Sequence, residues 1–306
     1  MDRLSELFPA GPPIGEDQQI GRHQFIESVE ERLRSGDVLI FADERRKGKT
    51  SVARASLARI RSAGGAVAEI NLASHGKDHL GAAGVLASEL AGELGRRARR
   101  LGDTARRLRR SGADKATGAD GGTVVALAAE LLGPDRTIDS VIRKAARRND
   151  GNGCAILLDE AHVIAKWPED VQQAFNAALR DSGSLGMVIA SSERRATELL
   201  LDDGQPLYSA GYPMPLPEID AASWVDGLTE RFEELGMEVE RPALEELVAF
   251  SNHHPYCTMR LAAETALQAE QARRMKGDQR GTIDSLAIQA ALVVVREDGV
   301  WKTVIE

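Results

Sequence analysis

Four consecutive residues, Gly48-Lys49-Thr50-Ser51, combine the residue types that bind phosphate in proteins. In a loop that runs from a strand into a helix, backbone N–H groups and the helix N-terminus hold phosphate oxygens, lysine reaches the β- and γ-phosphates, and threonine ligates Mg²⁺. The motif G-x-x-x-x-G-K-[ST] places glycine at position 43, where this chain has Asp43. The alternative is a chance Gly-Lys-Thr at the start of an ordinary helix.

The residues on either side of this motif have the patterns that such a loop needs. Residues 38–41, VLIF, form a short apolar run, which is typical of a buried strand. After Ser51, apolar residues recur at helical spacing through Val52, Ala55 and Ile60. The sequence therefore predicts a strand, a phosphate-binding loop over residues 43–51 and a helix. We call residues 43–51 the phosphate loop.

Two further apolar runs end in polar side chains. Residues 154–158 are small or apolar and are followed by Asp159-Glu160, and residues 186–190 are followed by Ser191-Ser192. Open parallel sheets bind ligands at the carboxyl ends of their strands. An isolated strand that ends in two acids is often only an acidic turn. Together with the phosphate loop earlier in the chain, however, this pattern predicts carboxylates at a nucleotide site.

Length and composition limit the classes of protein. The 306 residues have room for one large α/β domain and a smaller one. The net charge of −8 argues against a protein that coats nucleic acid with its whole surface. The N-terminus lacks a signal-like apolar region, and no apolar run approaches the roughly 20 residues of a membrane span. Two isolated cysteines, Cys154 and Cys257, indicate reduced core residues of a cytoplasmic protein.

Alternation of helical and strand patterns predicts a parallel sheet covered by helices, followed by a mostly helical C-terminal part. Residues 77–111 have a helical pattern that we expect to be interrupted around Gly102, and residues 111–122 are loop-like. Eight arginines, with one acid among them, lie in the second half of this segment: Arg96, Arg97, Arg99, Arg100, Arg106, Arg107, Arg109 and Arg110.

The order and spacing of these motifs resemble the AAA+/STAND branch of P-loop ATPases, and the archaeal-type ATPase family in particular. The resemblance covers roughly residues 18 to 296. The matching stretches are Ile20-Gly21-Arg22, residues 44–51 (ERRKGKTS), residues 156–161 (ILLDEA), residues 189–192 (IASS), Pro206-Leu207-Tyr208 and residues 251–256 (SNHHPY).

This resemblance implies a three-layer α/β P-loop NTPase core, with a parallel β-sheet flanked by helices, and a C-terminal helical lid domain. We expect an extended lead-in over residues 1–19, the core over 20–214 with an Arg-rich helical insertion at about 94–122, and the lid over 215–306. The implied cofactors are ATP and Mg²⁺. The implied function is an ATP-binding, nucleotide-dependent molecular switch with Mg²⁺-dependent ATP hydrolysis. Asp43, which replaces the first glycine of the loop, is expected to lower nucleotide affinity unless Arg45 or Arg46 neutralises its charge.

The resemblance also implies a role for individual residues. Glu160 would polarise the attacking water, Ser191 would sense the γ-phosphate, and Thr50 and Asp159 would hold Mg²⁺. The expected nucleotide contacts are Ile20, Gly21, Arg22, Arg46, Lys47, Gly48, Lys49, Thr50, Ser51, His254 and Pro255. Three residues that replace family glycines, Asp43, Asn252 and His253, are types that tolerate left-handed backbone.

Other functions stay open at this point. The arginine segment, Arg96 to Arg110, could contact DNA through phosphates, which would make the chain a DNA-bound ATPase similar to replication initiators or transposition regulators. A charge run of this kind is more often a solvated helix face. A third interpretation is a regulatory module that binds ATP without turnover. Expected partners are ATP and ADP, with a protein partner or a second copy of the chain; no membrane is expected.

Overall fold

The computed structural model describes residues 2–110, 130–131, 133, 137–146, 154–192, 203, 205 and 208–305, with the side chains of residues 2, 95, 97–110 and 304 excepted. Its helices are α1 (Asp2–Leu7), α2 (His23–Arg34), α3 (Lys49–Ser62), α4 (His79–Arg110), α5 (Ile138–Ala146), α6 (Glu169–Arg180), α7 (Ala221–Glu234), α8 (Arg241–Phe250), α9 (Pro255–Lys276), α10 (Ser285–Val295) and α11 (Gly299–Ile305). Its strands are β1 (Val38–Ala42), β2 (Ala66–Asn71), β3 (Cys154–Asp159), β4 (Leu185–Ser191), β5 (Tyr212–Pro213), β6 (Glu238–Val239) and β7 (Thr282–Ile283).

The described chain forms two compact units. The helical unit consists of residues 1–25, 46–51 and 217–306, and the sheet unit consists of residues 26–45 and 52–216. Each unit is described by itself. The predicted division into a core over 20–214 and a lid over 215–306 stays a prediction.

A five-stranded parallel sheet organises the sheet unit. Its strand order is β2-β3-β4-β1-β5, and every pairing is parallel. Strand β1 is buried because its four residues Val38–Phe41 are apolar, which confirms the predicted strand. Ala42, at the end of β1, lies in register with Ser191 at the end of β4. The predicted parallel sheet flanked by helices is therefore confirmed.

Close contacts fix α2 and α3 within the sheet unit. A Cβ atom added to Gly186 of β4 would lie 2.2 Å from the carbonyl oxygen of Leu33, so α2 approaches this strand as closely as only glycine allows. The buried hydroxyl of Ser56 donates to the carbonyl oxygens of Ile26 and Val52, at 3.2 and 3.1 Å. The helix that follows the phosphate loop is thereby joined to α2.

The helical unit has its own hydrophobic core, built mainly from α7, α8, α9 and α10. The first residues of the chain belong to it: the rings of Phe8 and Phe232 are 4.8 Å apart. Arg231 donates to the carbonyl oxygens of Leu7 and Gln18, so a half-buried guanidinium holds the N-terminal segment. Burial lowers the pKa of this guanidinium.

Several predicted elements need correction. The lead-in over residues 1–19 is not extended throughout, since Asp2–Leu7 form α1, whose leucines pack on the core. The helix α4 continues through Gly102 to Arg110, because one glycine costs a helix only about 1 kcal/mol. The sequence pattern over 282–295 predicts a helix. That helix begins instead at Ser285, where the Asp284 carboxylate accepts from Ala287 N–H at 2.8 Å.

The remaining expectations concern the C-terminal tail, the loop over 111–122 and membrane spans. By its sequence the C-terminal tail could pair as a hairpin across Asp298-Gly299 or continue as helix, and Gly299–Ile305 form helix α11. The predicted loop over 111–122 lies outside the described residues, as do Pro206 and Leu207. Among the helices that the structure describes, none combines the length and the apolar character needed to cross a membrane.

Candidate functional site

The phosphate loop joins the end of β1 to the first turn of α3. Arg46 and Gly48 both have left-handed backbone, with φ of 65° and 93°. A Cβ atom added to Gly48 would lie 3.0 Å from Nη1 of Arg22, so the loop leaves no room for a side chain there. Lys49, at the start of α3, is buried, with 5% of its surface exposed. This backbone suits a loop that turns its N–H groups inward to an anion.

Asp43 does not take the left-handed conformation that its replacement of glycine suggested. Its φ is negative, and its Oδ1 accepts from the N–H of Glu44 at 2.7 Å. The expectation is corrected because the left-handed turn of this loop lies three residues later, at Arg46.

The residues Ile20-Gly21-Arg22 are tied to the phosphate loop within the helical unit. Arg22 donates through Nη1 to the carbonyl oxygen of Lys47 at 2.6 Å and through Nε to that of Pro217 at 2.8 Å. Ile20 is buried, and a Cβ atom on Gly227 would meet its side chain at 2.8 Å. These contacts hold Ile20-Gly21-Arg22 beside the phosphate loop, and the nucleotide contact expected of this motif stays a prediction.

The turn before α9 has the backbone that its sequence predicted. Asn252 and His253 are left-handed, with φ of 49° and 55°, in agreement with their replacement of family glycines. His254 is buried at 4% exposure and precedes Pro255, which opens α9. The carbonyl oxygen of His254 accepts from Thr258 Oγ1 at 3.1 Å, which fixes the start of the helix.

A contact between the phosphate loop and α9 was not predicted. The guanidinium carbon of Arg46 lies 4.1 Å from the centroid of the Tyr256 ring, and the Tyr256 hydroxyl donates to Asp298 at 2.9 Å. Burial and the bond to Asp298 raise the pKa of Tyr256. The sequence contained both partners, but no spacing rule joins residues that are 210 positions apart.

The carboxyl edge of the sheet holds the second set of predicted residues. Asp159 ends β3, and its Oδ1 accepts from the N–H of Glu160 at 3.0 Å. Glu160 is left-handed, with φ of 53°, and its Oε2 lies 3.2 Å from Nδ1 of His162. Ser191 ends β4 and is 1% exposed. The sheet unit thus presents a carboxylate pair and a hydroxyl at the ends of neighbouring strands.

Arg54 is a further charged neighbour of this edge that the sequence reasoning missed. Its Nε lies 2.8 and 2.9 Å from the two carboxylate oxygens of Glu69 on β2. The hydrogen bond to Glu69 raises the pKa of Arg54, and the negative charge of Asp159 acts in the same direction. The signal in the sequence was an arginine one helical turn after Thr50, which is too common a pattern to interpret alone.

The predicted magnesium ligands are a hydroxyl, on Thr50, and a carboxylate, on Asp159. Among the residues that the structure describes, no group of three or more His, Cys, Asp or Glu side chains is arranged to hold a metal by itself. A hydroxyl and a single carboxylate fit Mg²⁺, because proteins usually bind this ion through one or two carboxylates together with water and substrate phosphates.

Comparisons with solved structures identify the fold. A Walker-type ATPase of Pyrococcus abyssi is similar over 97% of this chain and 80% of its own, with a TM-score of 0.58 and 17% identity. The Holliday junction branch migration motor RuvB of Thermotoga maritima matches 95% of this chain and 74% of its own, at 0.51 and 14%. The ORC1 protein of Aeropyrum pernix, solved in complex with DNA, matches 96% and 70%, at 0.52 and 17%. This chain has an AAA+ P-loop ATPase fold. Neither a family model nor a curated protein matches the sequence.

An arginine finger is an arginine that stabilises the charge of the transferred phosphoryl group. The sequence offers Arg180, Arg194, Arg195 and Arg260 as candidates, although each is of a kind more often found as an ordinary surface arginine. Arg180 donates to the carbonyl oxygen of Tyr208 at 3.0 Å, and Arg260 lies 3.7 Å from Asp298. Arg194 and Arg195 lie outside the described residues. The arginine expected after the family's "PLY" passage is replaced by Ser209-Ala210-Gly211.

Proposed function

We propose that this chain is an ATP-binding ATPase that works as a nucleotide-dependent switch and uses Mg²⁺. The observation that carries the proposal is the path of the chain at the sheet edge. An interior parallel strand, β1, leads through a loop with left-handed Arg46 and Gly48 into α3. The adjacent strand β4 ends in Ser191, and β3, the next strand along the sheet, ends in Asp159. Ligands bind at this edge of open parallel sheets.

The loop residues take the roles of a phosphate site. Backbone N–H groups of residues 46–51 bind phosphate oxygens, supported by the positive end of the α3 dipole. Lys49, at the start of α3, contacts the β- and γ-phosphates. Thr50 donates its hydroxyl oxygen to Mg²⁺, and Ser51, whose Oγ accepts from Ile14 N–H at 3.2 Å, holds the N-terminal segment against the loop.

The sheet carboxylates take the roles of metal ligand and general base. Asp159 would hold Mg²⁺ through a bridging water molecule. When bound, Mg²⁺ neutralises charge on the β- and γ-phosphates. Glu160 orients and deprotonates the attacking water, and its left-handed backbone re-aims the side chain directly after β3. Ser191 hydrogen-bonds the γ-phosphate and so distinguishes ATP from ADP.

Residues of the helical unit complete the proposed nucleotide contacts. Ile20 and Gly21 lie beside the base, Arg22 supports the loop through Lys47, and His254 and Pro255 contact the nucleotide from the start of α9. Turnover is slow in this proposal for two reasons. Asp43 adds a carboxylate near phosphate, and the usual arginine-finger position is occupied by Ser209.

Calorimetry with ATP and Mg²⁺ tests the proposal. We expect Lys49→Ala to weaken binding by at least about tenfold, because a charged hydrogen-bond partner of phosphate contributes roughly 1.5–3 kcal/mol. Lys276→Ala, which removes an exposed lysine at the end of α9, is the matched control and should bind as the wild type does. Equal binding by wild type and Lys49→Ala would place the site elsewhere or show that none exists.

A second candidate function is DNA binding through the arginine segment, and one observation favours it. The helix α4 extends unbroken to Arg110, so the arginines of this segment lie on one continuous helix. Arg96, whose side chain is described, is exposed and bonds to Glu93 at 2.8 Å. The side chains of Arg97 to Arg110 lie outside the described residues. A helix that carries eight arginines between Arg96 and Arg110 has the charge to bind phosphate backbone.

Salt dependence of duplex binding tests this second candidate. Binding through several arginine–phosphate contacts should weaken steeply between about 50 and 200 mM salt, by roughly 10³-fold or more for six contacts. Replacing Arg106, Arg107, Arg109 and Arg110 by glutamine should flatten this response. Absence of binding at low salt would exclude the candidate. The ATPase proposal would stand, because it does not rest on the arginine segment.

A further inference from the structure

Arg46 is an unusual residue to find in the phosphate loop. Left-handed backbone brings a Cβ atom too close to its own carbonyl oxygen, so residues other than glycine adopt it where their surroundings hold them there. Arg46 has φ of 65°, and it lies two residues before Gly48, which has φ of 93°. Something outside the backbone must therefore stabilise the turn at Arg46.

The contact at Arg46 is with one aromatic side chain. The guanidinium carbon lies 4.1 Å from the centroid of the Tyr256 ring, well within the range of a cation–π interaction. Both residues belong to the helical unit. The pKa of Tyr256 reflects both neighbours: burial and Asp298 raise it, and the charge of Arg46 acts to lower it.

The ring of Tyr256 is itself fixed at its other end. The Tyr256 hydroxyl donates to Asp298 Oδ2 at 2.9 Å. Oδ1 of Asp298 accepts from the N–H of Val300 at 2.8 Å, at the beginning of α11, and Arg260 lies 3.7 Å from the same carboxylate. A tyrosine anchored in this way presents a rigid ring face to the loop, so little side-chain freedom is lost when Arg46 lies over it.

We propose that Tyr256 is a positioning residue for the phosphate loop: its ring holds Arg46 in the left-handed conformation that sets the loop for phosphate. Tyr256 acts through Arg46 and does not contact the phosphates. The order of the loop therefore depends mainly on the Tyr256 ring, and the hydrogen bond from the Tyr256 hydroxyl to Asp298 makes a smaller contribution. The effect on nucleotide affinity rests on the proposed function, whereas the effect on the loop itself does not.

Hydrogen exchange of the loop amides at residues 44–49, without nucleotide, tests the proposal. Tyr256→Leu should speed exchange there by about two- to fivefold, the range that an exposed cation–π contact corresponds to. Tyr256→Phe keeps the ring and should restore protection to within about twofold of the wild type. Tyr212→Leu is the matched control: Tyr212 also lies against an arginine, Arg32 at 4.7 Å, which belongs to α2 and not to the loop. It should leave the loop unchanged.

A double-mutant cycle separates positioning from general packing of α9. Arg46→Gly removes the guanidinium and the strain together, so Tyr256→Leu should have no further effect on the loop in that background. The proposal is overturned if Tyr256→Leu leaves exchange unchanged, or if its effect is the same with and without Arg46. If Tyr256→Leu fails to fold, Arg46→Gln replaces it in the test, because this variant removes the same contact by changing the exposed partner. Loop exchange at the wild-type rate in Arg46→Gln would also overturn the proposal.

Nucleotide affinity is measured on the same variants. Tyr256→Leu should weaken ATP binding by about two- to fivefold, in step with the faster exchange of the loop. If the wild type binds no nucleotide, the proposed function fails, and the exchange data still decide whether Tyr256 positions the loop. If the wild type binds nucleotide and Tyr256→Leu binds equally well with a loosened loop, the link from loop order to affinity is refuted.

Discussion

Arg22 donates through Nη1 to the backbone carbonyl of Lys47 at 2.6 Å, which joins the Ile-Gly-Arg motif to the phosphate loop. The same guanidinium donates through Nε to the carbonyl of Pro217 at 2.8 Å. Arg22 is itself left-handed, with φ of 61°. One side chain therefore holds two chain segments that are far apart in sequence, and both belong to the helical unit.

Arg22→Asn should destabilise the protein by about 1–3 kcal/mol, since two carbonyl groups lose a charged donor. Asparagine tolerates left-handed backbone, so the change isolates the lost hydrogen bonds. Urea unfolding is the measurement. Arg3→Ala removes an exposed arginine, 3.4 Å from Glu234, and should cost less than about 1 kcal/mol. Equal losses for the two variants would mean that the bridge at Arg22 contributes no more than a surface ion pair.

Two glycine substitutions should have opposite signs. Gly186→Ala would place Cβ 2.2 Å from the Leu33 carbonyl oxygen. Because the backbone of α2 cannot move away easily, we expect the free energy of unfolding to fall by about 1–3 kcal/mol or more. Gly84→Ala in α4 meets nothing within 4 Å and should gain about 0.5–1 kcal/mol from helix propensity. Thermal unfolding of both variants measures the difference. A stable Gly186→Ala would show that α2 and β4 are less closely packed than the structure has them.

The ion pair between Arg61 of α3 and Glu93 of α4 should make stability depend on pH. This buried carboxylate lies 3.0 Å from Arg61 and 2.8 Å from Arg96. Burial acts to raise its pKa, but the arginines outweigh burial and hold the pKa below the usual 4.5. A depressed carboxylate pKa contributes stability above the unfolded value, and this contribution is lost as the pH falls through the folded value. Glu93→Gln should therefore reduce stability at pH 7 and make less difference below about pH 4.

Denaturation curves of wild type and Glu93→Gln across this pH range provide the measurement. Glu89→Gln is the control, because Glu89 is exposed one turn earlier on the same helix. A stability difference that is the same at pH 7 and pH 3 would show that the charge of Glu93 is not the source of its effect.

Local patterns predicted the elements whose causes are local. The apolar run of β1, the Asp-Glu after β3 and the left-handed Asn252 and His253 all depend on residues adjacent in sequence, and all are found where they were expected. The prediction of helix at Thr282 and Ile283 was wrong, since these residues form strand β7. Thr282 pairs with Glu238, which is 44 positions away, so no local pattern contains this pairing. Only the fold brings such partners together.

The candidate site shows the same division. The motif positions of Lys49, Asp159 and Glu160 follow from residue type and order alone. The left-handed turn was expected at Asp43 and lies at Arg46, where Tyr256 provides a ring for the guanidinium. A motif gives the residue types that a site needs, whereas the support that each residue receives comes from tertiary contacts that spacing rules do not contain.

Glu160→Gln should separate ATP binding from turnover. In the proposed function Glu160 deprotonates the attacking water, so its amide should lower kcat by about 10²-fold or more, the usual contribution of a general base. Nucleotide affinity should stay within about twofold, because the phosphates are bound by the loop. Steady-state phosphate release and calorimetry on one sample measure both quantities. Glu169→Gln, at the exposed start of α6, is the control. Unchanged phosphate release in Glu160→Gln would remove Glu160 from the mechanism.

Asp43→Asn should strengthen ATP binding, on the order of tenfold, because it removes a negative charge from the loop that binds phosphates in the proposed function. The backbone of Asp43 is not left-handed, so glycine has no conformational advantage there, and Asp43→Gly should have the same effect as Asp43→Asn. The gain should shrink as salt is raised, since screening weakens the repulsion that the substitution removes. Glu44→Gln removes an exposed neighbouring charge and should change affinity less. A gain in Asp43→Gly alone would show that loop geometry, and not charge, limits binding.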